Sequence, residues 1–319
     1  MRFRVTATGF YAPPDVETAE DLSPRVGRSP QWIRSRTGVG RRHVAAHRDV
    51  ALLGAAAARQ ALGDGSPPDL LINASATPRQ VIPDNAPFIQ KELALDGMPS
   101  YTVHASCLSF LVGLNLAATL VNAQAQRILL VSAELATASR NFEEPESSLL
   151  LGDGAAAMMI EPPSSEDDSE ILYQAMETWP VGIDFTTILS GSRRHPNLPD
   201  VKPEEHLFHM EGPKVYRIAR QKVETFLERV WKETGLGPDD MDLVIPHQAS
   251  GPALAALPKY GFDEEKVVNI IGEYGNCVAA SIPMALYIAL NDGRIKKGDT
   301  LLLLGTGAGL SVAATILRW

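Results

Sequence analysis

Two stretches decide the fold: CLSFLVGLNLAATLVNAQ (107–124) and NCVAASIPMALYIALNDG (276–293). Each begins with a residue that can do chemistry and continues as an apolar run long enough for a buried helix. Each is flanked by apolar runs typical of buried strands and by a glycine turn that leads into a last strand. The flanking segments are DLLINASATP (69–78), RILLVSA (127–133) and GDGAAAMMIE (152–161) in the first half, and DLVIPHQAS (242–250), DTLLLLG (299–305) and GTGAGLSVAATILRW (305–319) in the second.

This repeated order predicts a duplicated α/β chain. Strands that are apolar throughout and alternate with helices are typical of sheets covered on both faces. The segment PPSSEDDSE (162–170) combines prolines, serines and acids, as a solvated linker does. We therefore predict two similar halves, residues 1–163 and 171–319. Sites in such folds lie at strand ends, so we expect the chemistry where the halves meet.

The composition excludes several classes of protein. Apolar residues make up 45% of the 319 residues, enough for a large core, and the net charge is -9. A nucleic-acid partner is not expected, because such surfaces need clustered lysine and arginine. Two cysteines, Cys107 and Cys277, are too few for a disulfide framework, which favours a reducing, cytoplasmic setting. No apolar run has the length of a membrane span, and the first residues look like a strand rather than a signal peptide.

Cys107 is the candidate nucleophile. It lies at the start of a predicted helix, where free N–H groups and the positive end of the helix dipole favour a thiolate and lower the thiol pKa. The alternative is a small buried hydrophobic residue, which is what most free cysteines are. Cys277, beside Asn276, is interpreted as a packing residue.

His247 and Asn276 are the candidate partners from the second half. His247 ends an apolar strand in IPHQAS, and the carboxyl edge of a strand is where active sites collect. Asn276 follows Gly275 and precedes a predicted helix. The alternatives are a core histidine with a satisfied hydrogen bond and an asparagine that caps the helix. Capping is compatible with donation to a ligand by the side-chain amide.

The turn GTGAG (305–309) lets the backbone approach a ligand, so its N–H groups could face an oxyanion. It runs into a strand, whereas a dinucleotide-binding fingerprint needs a helix at that point. The chain has no G-x-S-x-G and no P-loop. The pairs His206 with His209 and His104 with Cys107 lack further ligands nearby in sequence, so no metal site is predicted.

Taken together, Cys107, His247, Asn276 and the terminal glycine turn resemble the β-ketoacyl-acyl-carrier-protein synthase III family of the thiolase superfamily. The likeness covers nearly the whole chain. It includes WIRSRTGVGRRH (32–43), GDGAAA (152–157), HMEGPKVYRIA (209–219), PHQAS (246–250) and GNCVAASIP (275–283). The resemblance implies a thiolase-like five-layer αβαβα fold, a homodimer and an acyltransferase that condenses acyl thioesters.

The resemblance also assigns roles to residues. It implies that Cys107 carries the acyl group, that His247 and Asn276 donate to the second thioester, and that the N–H groups of Cys107 and Ala308 form an oxyanion hole. It implies that Trp32 and Arg36 flank the entrance for coenzyme A. It further implies that Ile82 reaches into the partner's acyl pocket, and that acyl-coenzyme A or acyl-carrier-protein thioesters are substrates, with no permanently bound cofactor.

Three departures from the family pattern favour a specialised member. The basic residue expected after the catalytic histidine is absent from Ser250-Gly251-Pro252, and an acidic run, Glu143-Glu144-Pro145-Glu146, precedes the GDGA turn. The run after the nucleophile is Leu108-Ser109-Phe110.

Residues 178–200 are predicted to form a long loop over the acyl tunnel. The second substrate is expected to be a malonyl-type or β-ketoacyl-type thioester. Two alternatives remain open: transfer of the acyl group to an alcohol or amine, and a non-catalytic protein that binds acyl chains or a carrier protein.

Overall fold

The computed structural model describes residues 1–121, 123–166, 168–189 and 202–319. The described strands are β1 (Arg4–Tyr11), β2 (Asp15–Thr18), β3 (Arg41–Val44), β4 (Leu70–Asn73), β5 (Ser100–Thr102), β6 (Ile128–Leu135), β7 (Asp153–Glu161), β8 (Glu170–Gly182), β9 (Thr186–Thr187), β10 (His209–Met210), β11 (Leu243–Pro246), β12 (Thr300–Gly307) and β13 (Gly309–Arg318). The described α-helices are α1 (Ala19–Val26), α2 (Pro30–Thr37), α3 (Val50–Leu62), α4 (Asn85–Glu92), α5 (Ser109–Val121), α6 (Pro145–Ser148), α7 (Gly212–Thr234), α8 (Gly251–Leu254), α9 (Ile271–Tyr274) and α10 (Ser281–Asn291).

Two sheets form the frame of the molecule. The first has five strands in the order β1-β7-β6-β4-β5, and the second has four strands in the order β11-β12-β13-β8. Parallel pairing joins β4 to β5 and β6, and β11 to β12, whereas the other pairs are antiparallel. In each sheet an antiparallel strand follows a glycine turn, as the repeated order of the sequence predicts. The boundaries at 163 and 171 stay a prediction.

Strand burial explains why the central strands begin with long apolar runs. On β6, Ile128 and Leu130 face a core cluster that contains α5 and α10, while Leu129 and Val131 face a cluster that contains α3. A strand with both faces covered favours apolar side chains on both, and a polar side chain there needs hydrogen-bond partners. Strand β12 repeats the arrangement with Leu301 and Leu303 on one face and Leu302 and Leu304 on the other.

The helices complete five layers. Helices α5 and α10 lie between the sheets, because their side chains share one core cluster with residues of both. Helix α3 covers the outer face of the first sheet, and α7 covers the outer face of the second through Val223, Phe226, Leu227 and Val230. The spacing of these four residues places them on one face of a helix. The predicted five-layer αβαβα fold is confirmed.

Three local predictions need correction. The first central helix begins at Ser109, two residues after Cys107, and the second begins at Ser281, after a short 3₁₀ turn over Val278–Ala280. The segment predicted as a loop over 178–200 begins as the end of β8 and contains β9. This part of the chain pairs with β13 and β10, and edge pairing of this kind is not visible in local composition. Residues 190–200 of the predicted loop lie outside the described residues.

Candidate active site

A cavity of about 680 Å³ lies where the two halves meet. Its lining includes Cys107 from the first half, His247 and Asn276 from the second half, and the turn from Thr306 to Leu310. The rest of the wall is largely apolar, with side chains of Leu151, Phe185, Phe208, Met210, Val215, Ile218 and Val278. The structure thus brings together Cys107, His247, Asn276 and the terminal glycine turn, which sequence reasoning placed at the centre of the chemistry.

The nucleophile candidate stands on a tight turn before α5. Ser106 has a positive φ of 52°, which is uncommon for a non-glycine residue and costs backbone energy. The Ser109 hydroxyl stabilises the turn, because it accepts from the N–H of Ala105 at 2.9 Å and donates to the carbonyl of Ser106 at 2.7 Å. Cys107 is thereby held at the junction of turn and helix, with part of the residue accessible.

The terminal glycine turn packs directly against the residue that follows the nucleophile. A Cβ atom on Gly305 would lie 2.7 Å from Leu108 Cδ2, and one on Gly307 would lie 3.1 Å from Leu108 Cγ. Neither position has room for a side chain. This close approach brings the N–H of Ala308 near the Cys107 sulfur, where it and the N–H of Cys107 act to lower the thiol pKa. Two backbone donors therefore converge beside the thiol, which is the arrangement an oxyanion hole needs.

The thiol is less acidic than its place near a helix start led us to expect. Burial and the charge of Glu134 raise the pKa of Cys107 to about 12, although the two N–H groups act in the opposite direction. The expectation of a lowered pKa is wrong because withdrawal from water outweighs the donors at the helix start. The resting group is a thiol, so its proton must leave during attack on a substrate.

His247 is buried and uncharged at neutral pH. Burial lowers its pKa to about 4, and its Nδ1 atom has no hydrogen-bond partner among the described residues. The backbone N–H of His247 donates to Leu304 at 2.8 Å, which ties the histidine to the end of β12. The buried Gln248 side chain then anchors the loop, since it donates to Pro246 and Val268 and accepts from the N–H of Ile270. A neutral imidazole carries one N–H to donate and one nitrogen to accept.

Asn276 does not cap helix α10, whose N-cap position is Ala280; its side chain instead caps the N–H of Val278 in the preceding 3₁₀ turn, and one amide N–H stays available. Its Oδ1 accepts from the N–H of Val278 at 2.8 Å, and its Nδ2 donates to the carbonyl of Ala249 at 3.2 Å. The backbone N–H of Asn276 donates to Leu150 at 2.7 Å, and Gly152 N–H returns a bond to the Asn276 carbonyl at 3.1 Å. The amide has two N–H groups and one is used for Ala249. Its bond to Val278 therefore leaves the amide able to donate into the cavity.

Glu134, at the end of β6, was not singled out by the sequence analysis. It is fully buried, and burial raises its pKa to about 7, while its charge acts on the Cys107 thiol. A signal was present in the sequence, because Glu134 is the one charged residue in the strand ILLVSAEL (128–135), which is buried along its whole length. Acidic residues are almost never fully buried without partners.

Trp32, Arg36 and Ile82 do not line this cavity. Trp32 and Arg36 lie on α2, which packs next to the start of α8: a Cβ on Gly38 would lie 2.5 Å from Gly251 Cα. The Arg36 side chain is exposed and forms an ion pair with Glu146 at 3.0 Å. Ile82 is 81% exposed on the loop before α4. Their predicted binding roles stay predictions.

A second cavity of about 540 Å³, between α7 and α8, touches His247 and Thr306 but not Cys107. Across the described ranges, no three His, Cys, Asp or Glu side chains are grouped so that they could hold a metal ion. His209 instead pairs with Glu144 at 2.7 Å. None of the helices described here combines the length and the apolar character that crossing a membrane requires.

Comparisons with known proteins point to one family. Family profiles described as 3-oxoacyl-[acyl-carrier-protein] synthase III and as its C-terminal part match residues 101–179 and 231–319. The β-ketoacyl-[acyl-carrier-protein] synthase III of Aquifex aeolicus (strain VF5) is 32% identical over 333 residues, which cover 100% of both chains. The crystal structure of the synthase III from Aquifex aeolicus VF5 is similar with a TM-score of 0.89 at 30% identity, covering 99% of this chain and 100% of that one. The structure from Pseudomonas aeruginosa PAO1 gives a TM-score of 0.90 at 29% identity, covering 100% and 98%.

Fold and site together define a thiolase-fold enzyme of the acyl-thioester condensing class. The chain belongs to the 3-oxoacyl-[acyl-carrier-protein] synthase III family. The predicted family and the predicted acyltransferase class are thereby confirmed. A specialised role within the family stays a prediction.

Proposed function

We propose that this enzyme forms a carbon–carbon bond between two acyl thioesters, with the acyl group held on Cys107. One observation carries the proposal: Cys107, His247, Asn276 and the Ala308 N–H border a single cavity at the junction of the two halves. A nucleophile, two side chains with N–H groups and a pair of backbone donors are the parts that such a two-step reaction needs.

In the first step the Cys107 sulfur attacks the carbonyl carbon of an acyl thioester. The sulfur–carbon bond to Cys107 forms, the bond to the donor's sulfur breaks, and the proton of the Cys107 thiol ends on the departing thiol. The N–H groups of Cys107 and Ala308 stabilise the oxyanion that forms in between. Because the resting thiol is protonated, attack and proton loss are coupled.

In the second step a malonyl-type thioester loses carbon dioxide, or a β-ketoacyl-type thioester loses a proton, and becomes an enolate. The N–H groups of His247 and Asn276 stabilise the enolate oxygen, and each such donor is worth about 2.7–4 kcal/mol. The enolate carbon attacks the acyl group on Cys107, and the cysteine sulfur leaves as thiolate and takes up a proton to restore the thiol. The malonyl-type route releases a β-ketoacyl thioester. In the β-ketoacyl-type route the proton taken up balances the one the substrate lost, and the product carries one further acyl group on its α-carbon. The low pKa of His247 keeps its ring neutral throughout.

We extend the proposal to the acyl donors, the residues at the entrance, the homodimer and the cellular setting. Acyl-coenzyme A or acyl-carrier-protein thioesters are the donors, with Trp32 and Arg36 at the entrance. The ion pair between Arg36 and Glu146 leaves that entrance less basic than a lone arginine would. A homodimer gives the exposed Ile82 a partner pocket to fill. Both cysteines are free thiols, which suits a cytoplasmic setting.

Acyl transfer to oxygen or nitrogen is the alternative activity. The segment after His247 supports it, because Ser250 caps α8 and Gly251-Pro252 begin that helix, so no cation stands there to meet a carrier protein. The deciding experiment offers the acylated enzyme a malonyl thioester, an alcohol or an amine and identifies the products by mass. Our proposal expects a ketone from the malonyl thioester; an ester or amide without any ketone would refute it. A protein that only binds acyl chains would give no product in any arm.

A further inference from the structure

A buried carboxylate connects the parts of the site. The Glu134 oxygens accept from the N–H of Ala76 at 2.6 Å, the N–H of Thr77 at 2.8 Å and the hydroxyl of Thr77 at 2.5 Å. The N–H of Ala279 also acts on the carboxylate and lowers the pKa of Glu134. Ala76 and Thr77 follow β4 in the first half, whereas Ala279 lies three residues after Asn276 in the second. Strand β6, which carries Glu134, packs against the 3₁₀ turn Val278–Ala280, so Glu134 lies where the two halves meet.

The same carboxylate acts electrostatically on the nucleophile. Burial raises the pKa of both thiols, Cys107 and Cys277, and the negative charge of Glu134 raises it further, because a second negative charge nearby is unfavourable in a buried site. Asp153 on the neighbouring strand β7 acts on Cys277 as well, and it is itself paired with Thr137 and influenced by Arg140. His247, which lines the same cavity as Cys107, is neutral. Glu134 is the carboxylate that acts on Cys107.

Burial and hydrogen bonds have opposite effects on the pKa of Glu134. Burial favours the neutral acid, and the four donors favour the carboxylate. The balance raises the pKa of Glu134 to about 7, so its charge changes near neutrality. No step of the proposed reaction uses this group directly. A fully buried, titrating carboxylate next to a nucleophile is nevertheless the kind of environment that tunes reactivity.

We propose that Glu134 is a positioning residue for the nucleophile: it holds the loop after β4 against the turn that follows Asn276, and its charge sets how readily Cys107 becomes a thiolate. This inference rests on the proposed role of Cys107. When Glu134 is protonated, the thiol loses its proton more readily. When Glu134 is ionised, the thiolate is suppressed and the resting site keeps a protonated, unreactive sulfur.

The experiment measures the rate at which iodoacetamide alkylates Cys107 between pH 6 and 10, with the modified peptide identified by mass. Only the thiolate reacts. In the wild type, the alkylation rate should rise with pH, flatten above about pH 7 as Glu134 ionises, and rise again at higher pH, because Glu134 and Cys107 titrate as a coupled pair. In Glu134→Gln the flattening disappears. If the thiol pKa falls by about one unit, thiolate rises about tenfold at alkaline pH. Nucleophilicity falls with the pKa, so the rate should rise by about threefold or more at pH 9 and stay unchanged at pH 6.

Two further variants keep the inference falsifiable. Thr77→Val retains the charge of Glu134 but removes one donor to it, so the flattening should move to higher pH. This variant also decides the matter if Glu134→Gln fails to fold. Glu228→Gln, which removes an equal charge from the exposed face of α7, should match the wild type. A rate ratio that is the same at pH 6 and pH 9 in Glu134→Gln, or an unmoved profile in Thr77→Val, would overturn the inference. Because alkylation needs no acyl substrate, this result is separate from the fate of the proposed condensation.

Discussion

The two roles of the Asn276 side chain can be separated by one atom. In Asn276→Asp, the Oδ1 that accepts from the N–H of Val278 is retained, so the turn before α10 keeps its cap. The donor Nδ2 becomes an oxygen that faces the carbonyl oxygen of Ala249, 3.2 Å away in the wild type. In Asn276→Ala, by contrast, both the cap and the donor are lost. The two variants therefore report on different properties of the same residue.

The expected magnitudes differ for the two variants. Loss of one donor to an enolate costs about 2.7–4 kcal/mol, so Asn276→Ala should slow condensation by about 10²–10³-fold. An ionised aspartate adds repulsion of the enolate, on the order of 4 kcal/mol for unit charges about 4 Å apart at an effective dielectric constant of about 20. Partial protonation of a buried aspartate reduces this effect. We therefore expect Asn276→Asp to be slower than Asn276→Ala by at least about tenfold.

Single-turnover assays measure the two steps apart. The enzyme is first loaded with an acyl-coenzyme A, and the increase in mass gives the rate of acylation. The malonyl thioester is then added, and loss of the acyl group to product gives the rate of condensation. Both variants should load at close to the wild-type rate. If Asn276 serves only as a cap, Asn276→Asp will condense normally and Asn276→Ala will not, and that order would refute the assignment of the amide as a donor.

Two other predictions concern stability and packing. The pKa of His247 is lowered from 6.5 to about 4, so its neutral form contributes about 3 kcal/mol to the free energy of unfolding above pH 6.5, and this contribution is lost as the pH falls to 4. In urea melts, the free energy of unfolding should fall less between pH 6.5 and pH 4 in His247→Gln than in the wild type or in the exposed control His47→Gln. The same pH dependence in all three proteins would contradict the burial argument. Gly305→Ala places a Cβ 2.7 Å from Leu108 Cδ2 and should cost about 1–3 kcal/mol while slowing acylation. Gly212→Ala, whose Cβ would meet Met210 at an ordinary 3.6 Å, should do neither, and equal behaviour of the two variants would show that the glycine turn is not tightly packed.

Much of the fold was predictable because burial leaves a strong mark on composition. The apolar strands and the two central helices, α5 and α10, occur in the same order in each half, and that order identified both sheets. The meeting of Cys107, His247 and Asn276 followed from the same repeat. Once the layers are stacked, the ends of the buried strands and the segments before the central helices meet at the junction of the two halves, so residues at these positions lie close together.

What escaped prediction depends on distances between segments far apart in sequence. The raised pKa of Cys107 results from burial by the second half and from Glu134, neither of which is local to the helix start. The partners of Glu134 come from loops about 57 and 145 residues away along the chain, so its role could not be inferred from its own strand. The extension of β8 depends on pairing with β13, the last strand of the chain.

The most direct test of the account is the intact mass of the protein after exposure to acyl-coenzyme A of increasing chain length. The account predicts that one acyl group is added to the wild type and to His247→Ala, and that none is added to Cys107→Ala. Subsequent malonyl thioester should remove the added mass from the wild type but not from His247→Ala. An acyl group that appears on Cys107→Ala, or a wild type that gains no mass at any chain length, would contradict the central claim that this sulfur carries the substrate.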